Sequence, residues 1–109
     1  YPDSYAAGLA SFNLGIVYFN DGKFENALES FDKAILILES EDDNATEKAM
    51  WFKTHALINL NRLEDARDVA AWIYHKNGSF RKKALLLAKK IEQNLKFKKF
   101  DPDFEFEEK

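Results

Sequence analysis

The chain holds few residues whose type and spacing suit catalysis or metal binding. His55 and His75 are its only histidines, and neither has other ligand residues at the spacing that a metal site needs. Asp42 and Asp43 stand in a solvated acidic run, which does not tune a carboxyl group for general acid catalysis. The sequence has no cysteine and no glycine-rich phosphate loop. We therefore expect no enzyme, no cofactor and no bound metal.

Residues suited to peptide recognition are better represented. Trp51, His55 and Asn59 fall at positions i, i+4 and i+8, so they share one face of a helix. An aromatic ring supplies apolar contact area, and an Asn side chain can pair with the backbone of an extended segment. This face is a candidate site for a peptide or for a partner's helix.

Lysines are concentrated in the last third of the chain. Residues 81–100 carry eight basic and one acidic side chain, against seven and thirteen in residues 1–80 and one and five in residues 101–109. A lysine-rich helix face can displace counterions from phosphates, so a nucleic-acid-binding helical module is the alternative function. Against it, the sequence pI is about 5.4, and such a face is usually just the solvated side of a helix. The lysines concerned are Lys82, Lys83, Lys89, Lys90, Lys96, Lys98 and Lys99.

The composition is that of one folded domain. Of the 109 residues, 46% are hydrophobic and 32% are charged, so the chain as a whole can build a core and is not a disordered segment. No apolar run approaches the ~20 residues of a membrane span, and no signal segment opens the chain. Because the chain begins with Tyr1 rather than methionine, we expect a piece of a longer protein. The absence of cysteine fits the cytosol and a bacterial periplasm equally well.

Apolar spacing and turn signals predict five helices, over residues 4–20, 23–39, 44–60, 62–76 and 79–97. The first pair is separated at Gly22. Asn77 and Gly78 end the fourth helix, because Asn and Gly accept the left-handed conformation that closes a helix.

Side-chain caps are predicted at three helix starts. Asn44 with Glu47 and Asn61 with Glu64 have the spacing of a capping box at the third and fourth helices. Ser79 is expected to cap the fifth helix, which has an apolar stripe opposite its lysines.

Residues 14–34 have the internal pattern of a closely packed helix pair. Large and small side chains follow one another mostly at three- and four-residue steps, at Leu14, Gly15, Tyr18, Gly22, Phe24, Ala27, Phe31 and Ala34. Small residues allow two helices to approach, and large ones fill the gaps beside them. This order of residue types resembles the tetratricopeptide repeat. The resemblance implies an all-α fold of antiparallel helix hairpins that serves as a binding scaffold.

A second, weaker unit follows the first. A shift of 39 residues takes Ala27 to Ala66 and Gly22 to Asn61, although Ala70 then stands where Phe31 stood. We predict repeat 1 at 4–39, a degenerate repeat 2 at 44–76, a capping helix at 79–97 and an acidic-aromatic tail at 98–109. Together they would form a fragment of a right-handed α-solenoid. The second half also resembles the C-terminal repeats of Bacteroidetes-type tetratricopeptide proteins.

The resemblance also implies a site, because the first helix of each pair lines a concave groove in this family. The implied partner-binding residues are Phe12, Asn13, Ile16, Phe19, Asn20, Trp51, Phe52, His55, Ile58 and Asn59. The alternative is that Phe12, Phe19, Trp51 and Phe52 are core residues. A clamp for chaperone carboxylates is not expected, because Phe52 stands where an arginine is needed. We therefore predict a non-catalytic protein–protein interaction scaffold.

The last segment is unusual for such a repeat. Residues 96–109 carry four phenylalanines, Pro102 ends any helix, and residues 104–107 alternate as an extended strand would. Phe104 and Phe106 are expected to dock in an apolar groove of this molecule or of a neighbour, or else the tail is frayed. Because two repeats are marginally stable, we also expect preceding repeats, or a homo-oligomer formed through helix one or the tail.

Overall fold

The computed structural model of the protein describes residues 2–98, with side chains from 4 to 96. Over that range it contains five α-helices and no strand: α1 (Pro2–Asn20), α2 (Phe24–Leu38), α3 (Asp43–Asn59), α4 (Leu63–Lys76) and α5 (Arg81–Lys98). The predicted all-α fold is confirmed, and every helix end lies within two residues of its expected position. Consecutive helices pack on one another, and α1 also touches α3.

The turns inside the two helix pairs have the same backbone geometry. Gly22 has a φ of 76° and Asn61 a φ of 61°. The amide of Gly22 donates to the carbonyl oxygen of Phe19 at 3.0 Å, and that of Asn61 donates to Ile58 at 2.9 Å. These pairs are related by the 39-residue shift found in the sequence. The two turns therefore share one geometry, even where the side chains around them differ.

Two of the predicted side-chain caps are wrong. Asp42, not Asn44, caps α3, and its Oδ1 accepts from the amide of Ala45 at 3.0 Å. Asn61 does not cap α4, because its left-handed backbone belongs to the preceding turn and Arg62 stands at the cap without a side-chain bond.

The start of α5 also differs from the prediction. Asn77 is left-handed at the end of α4, as expected, but α5 begins only at Arg81. Phe80 accepts the first helical bond, from the amide of Ala84 at 2.8 Å. Ser79 therefore precedes the cap position, and its hydroxyl donates instead to Asn44 Oδ1 at 3.4 Å.

Close contact between paired helices depends on small residues. Gly15 on α1 faces Phe31 on α2, and a Cβ at Gly15 would lie 2.5 Å from Phe31 Cε1. In the second pair the corresponding positions hold Thr54 and Ala70, both fully buried. A larger residue on α3 thus accompanies a smaller one on α4, which offsets part of the change in side-chain volume.

Helix α5 packs against α4 and buries one of its own faces. Its residues Ala84, Ala88 and Ile91 are buried, and Ile91 belongs to the same apolar cluster as Leu28 and Leu57. The opposite face of α5 is exposed and carries Lys82, Lys83, Lys89, Lys90 and Gln93. Both faces lie as the sequence predicted.

Candidate functional site

A groove of about 650 Å³, called here the first groove, lies between α1, the start of α3 and the turn before α5. Three chain segments contribute its lining residues, which are Leu9, Phe12, Asn13, Asp42, Asn44, Ala45, Lys48, Ser79 and Phe80. Helices α2 and α4 contribute none of these residues. The groove therefore belongs to the side of the molecule formed by the first helix of each pair.

Asp42 holds two walls of the first groove together. The Tyr5 hydroxyl on α1 donates to Asp42 Oδ2 at 2.8 Å, while Oδ1 accepts the Ala45 amide. The Ala45 bond, followed by the Tyr5 bond, holds the pKa of the Asp42 carboxyl below its ordinary value. The pKa of Tyr5 is raised, because its hydroxyl proton is bonded to that carboxylate. The ionised carboxylate is thus the form that ties α1 to α3.

The first groove combines aromatic surface with free polar groups. Asn13 and Lys48 are exposed, and Phe12 is half-buried between them and the core. Lys48 Nζ lies 6.0 Å from the centroid of the Phe12 ring. Amide, ammonium and aromatic groups therefore converge on one open surface, which is a combination suited to a peptide.

Comparison with known families identifies the helix pair α1–α2, which contributes one wall of this groove. Residues 8–40 match the family model described as Tetratricopeptide repeat. The chain contains a tetratricopeptide repeat. The matched residues include most of α1, the Gly22 turn and all of α2. No curated protein and no solved structure matches the chain.

Tetratricopeptide repeats generally mediate protein–protein interaction, and the family is generally non-catalytic. In this repeat, α1 brings Phe12 and Asn13 to the first groove. Ile16 is half-buried and Asn20 is exposed at the end of the helix. Phe19 packs edge-on against Phe24, with ring centroids 5.2 Å apart. Of the α1 residues predicted for a site, only the first two thus line this groove.

Phe52 joins the repeat to α3 through aromatic contacts. Its ring lies 5.8 Å from that of Phe12, 6.0 Å from that of Phe31 and 6.1 Å from that of Phe19, between centroids. Phe31 is fully buried and the other three are half-buried. Ile58 also packs against core residues. These aromatic side chains therefore contribute more to the packing of α1, α2 and α3 than to the exposed surface of the repeat.

Trp51 lies in a separate groove, called here the second groove, of about 520 Å³ between α3 and α5. The other lining residues are Lys83, Leu86, Leu87, Lys89, Lys90 and Gln93. The Trp51 ring stacks on Phe80 at 5.3 Å and meets His55 edge-on at 4.8 Å. Phe80 lines the first groove, so the stacked pair of Trp51 and Phe80 lies between the two grooves.

His55 and Asn59 lie beside the second groove rather than in its lining. Burial lowers the pKa of His55 and so favours the neutral imidazole. The exposed Asn59 donates its side-chain amide to the backbone oxygen of His55 at 2.8 Å. On the face predicted for these three residues, Trp51 and His55 thus pack ring against ring, and Asn59 makes a hydrogen bond within α3.

Several lining residues were not predicted from the sequence. Ser79 and Phe80 reach the first groove because the turn after α4 folds back against α3. Lys83 was assigned to a solvated helix face and Leu86 to no face at all, and only the contact of α5 with Trp51 reveals their groove. Phe104 and Phe106, predicted to dock, lie outside the described residues.

Among the described residues, no group of three His, Asp or Glu side chains is placed to hold a metal ion. His55 is on α3 and His75 is on α4. Within the same part of the chain, none of the helices has the length and apolar character of a membrane span.

Proposed function

We propose that this chain is a non-catalytic protein–protein interaction scaffold that binds a peptide or partner segment in the first groove. The observation that carries the proposal is the exposure of Asn13 and Lys48 beside the Phe12 ring. An extended backbone needs donors and acceptors along its length, which Asn13 and Asn44 can supply. The aromatic wall supplies the apolar contact area that usually dominates binding energy.

The rigid frame of the first groove supports the same proposal. Its walls come from helices that are joined by the Tyr5–Asp42 bond and by the aromatic packing around Phe52. A preformed groove loses less conformational entropy on binding than a flexible one does. Tetratricopeptide repeats generally serve this role.

The test uses peptides selected from a displayed random library against the folded chain. Amide chemical shifts would locate a selected peptide, and titration would give its Kd. For the pair Asn13→Ala and Lys48→Ala we expect a loss of affinity of about 10-fold, since truncating a contributing interface side chain costs about 1 kcal/mol or more. The matched control is Asn26→Ala with Lys33→Ala, since both residues are exposed on α2, away from the groove.

Two results would contradict the proposal. One is that the selected peptides shift amide signals on α2 and α4 instead of signals around the first groove, or that they bind the Asn13→Ala, Lys48→Ala variant as tightly as the wild type. The other is the alternative predicted from the lysines of α5, namely tight and salt-dependent binding of an arbitrary oligonucleotide with no peptide selected at all.

A further inference from the structure

The second groove joins an apolar floor to a cationic rim. Trp51, Leu86 and Leu87 form the floor, and Leu86 is 68% exposed although it is a large hydrophobic residue. Lys89 and Lys90 stand on the rim with exposed side chains, and none of the described residues that line the groove is acidic. An exposed leucine among lysines suits a ligand that is both acidic and apolar.

The rim lysines are not neutralised within the described chain. Among residues 4–96, Lys89 and Lys90 form no ion pair. The one acidic residue of α5 is Glu92, and its Oε2 lies 3.8 Å from Lys96 Nζ. Its charge is therefore paired with a lysine other than the two on the rim. Lys83 Nζ lies 5.6 Å from the centroid of the Phe80 ring. Positive charge on this rim is therefore left to be balanced by something else.

We infer that the second groove is the docking site of the chain's own segment 101–109, held by Phe104 and Phe106 on the apolar floor and by its carboxylates on the lysines. This segment lies outside the described residues, so it is characterised by its sequence alone. It carries five acidic side chains and one basic side chain. In an extended conformation Phe104 and Phe106 point to the same side, so both can meet one floor.

The connection is long enough for this docking. Leu87 lies eleven residues before Lys98 on α5, which is roughly 17 Å along the helix axis. From Lys98 to Phe106 the chain can extend up to roughly 26 Å. Phe106 can therefore reach the level of Leu87 even if several residues are used to reverse direction.

Tethering makes a weak contact sufficient. A short linker gives an effective concentration in the millimolar range, so the docked state is populated even if the free segment binds only weakly. A nucleic acid would satisfy the lysines but would leave the exposed Leu86 uncovered, so the acidic-aromatic segment fits the groove better. The docked segment would also compete with any acidic partner for this surface. None of this depends on a partner in the first groove.

The experiment compares the whole chain with a chain truncated after Phe100, both carrying Trp72→Phe. That substitution leaves Trp51 as the only tryptophan, since the sequence has two. The indole N–H signal of Trp51 is then followed by NMR. We expect it to differ between the two chains, and the free peptide 101–109 to move the signal of the truncated chain to the whole-chain position. The whole chain should need about 10-fold more peptide for the same response.

Matched variants separate docking from a general charge effect. Lys90→Glu should abolish the response to the peptide, whereas Lys82→Glu should leave it intact, because Lys82 is exposed on α5 but does not line the groove. A peptide with serine at positions 104 and 106 keeps every charge and should fail to bind.

Other outcomes would overturn the inference. If Trp51 gives the same signal in both chains and the peptide has no effect, the segment does not dock here. If the whole-chain signal depends on protein concentration and that of the truncated chain does not, the segment docks on a second copy instead. If the serine peptide binds as well as the native one, the groove recognises charge alone. The same holds if an oligonucleotide displaces the tail and the free peptide 101–109 does not compete with that oligonucleotide.

Discussion

Gly15 determines how closely α1 can approach α2 in the matched repeat. A Cβ there would lie 2.5 Å from Phe31 Cε1, and Phe31 is fully buried and held by two neighbouring rings. Overpacking of this kind costs about 1–3 kcal/mol. Alanine regains about 1 kcal/mol of helix propensity over glycine. The balance favours glycine, because the ring has no free space to enter.

We therefore expect Gly15→Ala to lower the free energy of unfolding by about 1 kcal/mol, the middle of the net range of about 0–2 kcal/mol, as measured by urea denaturation. The control is the same substitution in a Phe31→Leu background, where the space for the methyl group is restored. There the loss should shrink or change sign. An equal loss in both backgrounds would show that the contact with Phe31 is not the cause.

Asp42 gives the chain a pH-dependent contribution to stability. The pKa of this carboxyl is lowered from its ordinary value of 3.8 by the bonds from Ala45 and Tyr5. A lowered folded-state pKa means that the stabilisation is complete above the unfolded value and is lost as the pH falls through the folded one.

The expected result concerns the difference in unfolding free energy between the wild type and Asp42→Asn. It should be constant from pH 7 to about pH 5 and should shrink below about pH 4. Asp43→Asn is the matched control, because Asp43 is exposed at the neighbouring position. If the Asp42 difference stays flat down to pH 2.5, the carboxylate is not the stabilising form.

At the scale of helices and turns, the residue at a position of one hairpin indicates which substitution the equivalent position of the other hairpin tolerates. Gly22 and Asn61 both have positive φ, and a Cβ on Gly22 would meet no atom within 4 Å. Only backbone strain therefore opposes a side chain at Gly22. We expect Gly22→Ala to cost about 1 kcal/mol in unfolding free energy, and Gly22→Asn about half of that, because Asn tolerates this conformation. Equal costs would show that the turns are not equivalent.

The sequence was sufficient for helix extents, and insufficient for caps and grooves. Gly22 and Asn77 ended their helices where expected, because a left-handed residue is a local property of the backbone. Three consecutive residues, Asp42, Asp43 and Asn44, are all good cap formers, and only Asp42 also receives Tyr5 from α1. The choice among them needs the tertiary structure.

Contacts across the chain explain the remainder of the candidate site. Phe80 lies between Trp51 and the first groove because α5 returns to α3, a relation that no spacing along one helix contains. Likewise Phe52 has the spacing of a surface residue beside Trp51, but its ring turns toward Phe12 and Phe31. Helical periodicity gives the face of a residue and not the neighbour it meets.

At the scale of the molecule, the outer side of α1 is an apolar surface with no partner among the described residues. Leu14 is 47% exposed and Val17 is 57% exposed, and Ala7 and Ala10 continue the stripe at helical spacing. Residues 4–20 contain no charged side chain. Water contact with such a stripe is unfavourable by about 25 cal/mol per Å² of apolar area. Covering it would therefore stabilise any association through α1.

We accordingly expect the isolated 109-residue chain to self-associate through α1. In sedimentation velocity, the wild type should show a concentration-dependent shift toward a dimer, and the Leu14→Gln, Val17→Gln variant should remain monomeric. Thermal unfolding of that variant at low concentration should be nearly unchanged, because neither side chain is buried within one molecule. Leu36→Gln is the matched control, since Leu36 is 72% exposed on α2 and should leave the association intact. A wild type that stays monomeric at every accessible concentration would contradict this, as would a control that dissociates as readily as the α1 variant.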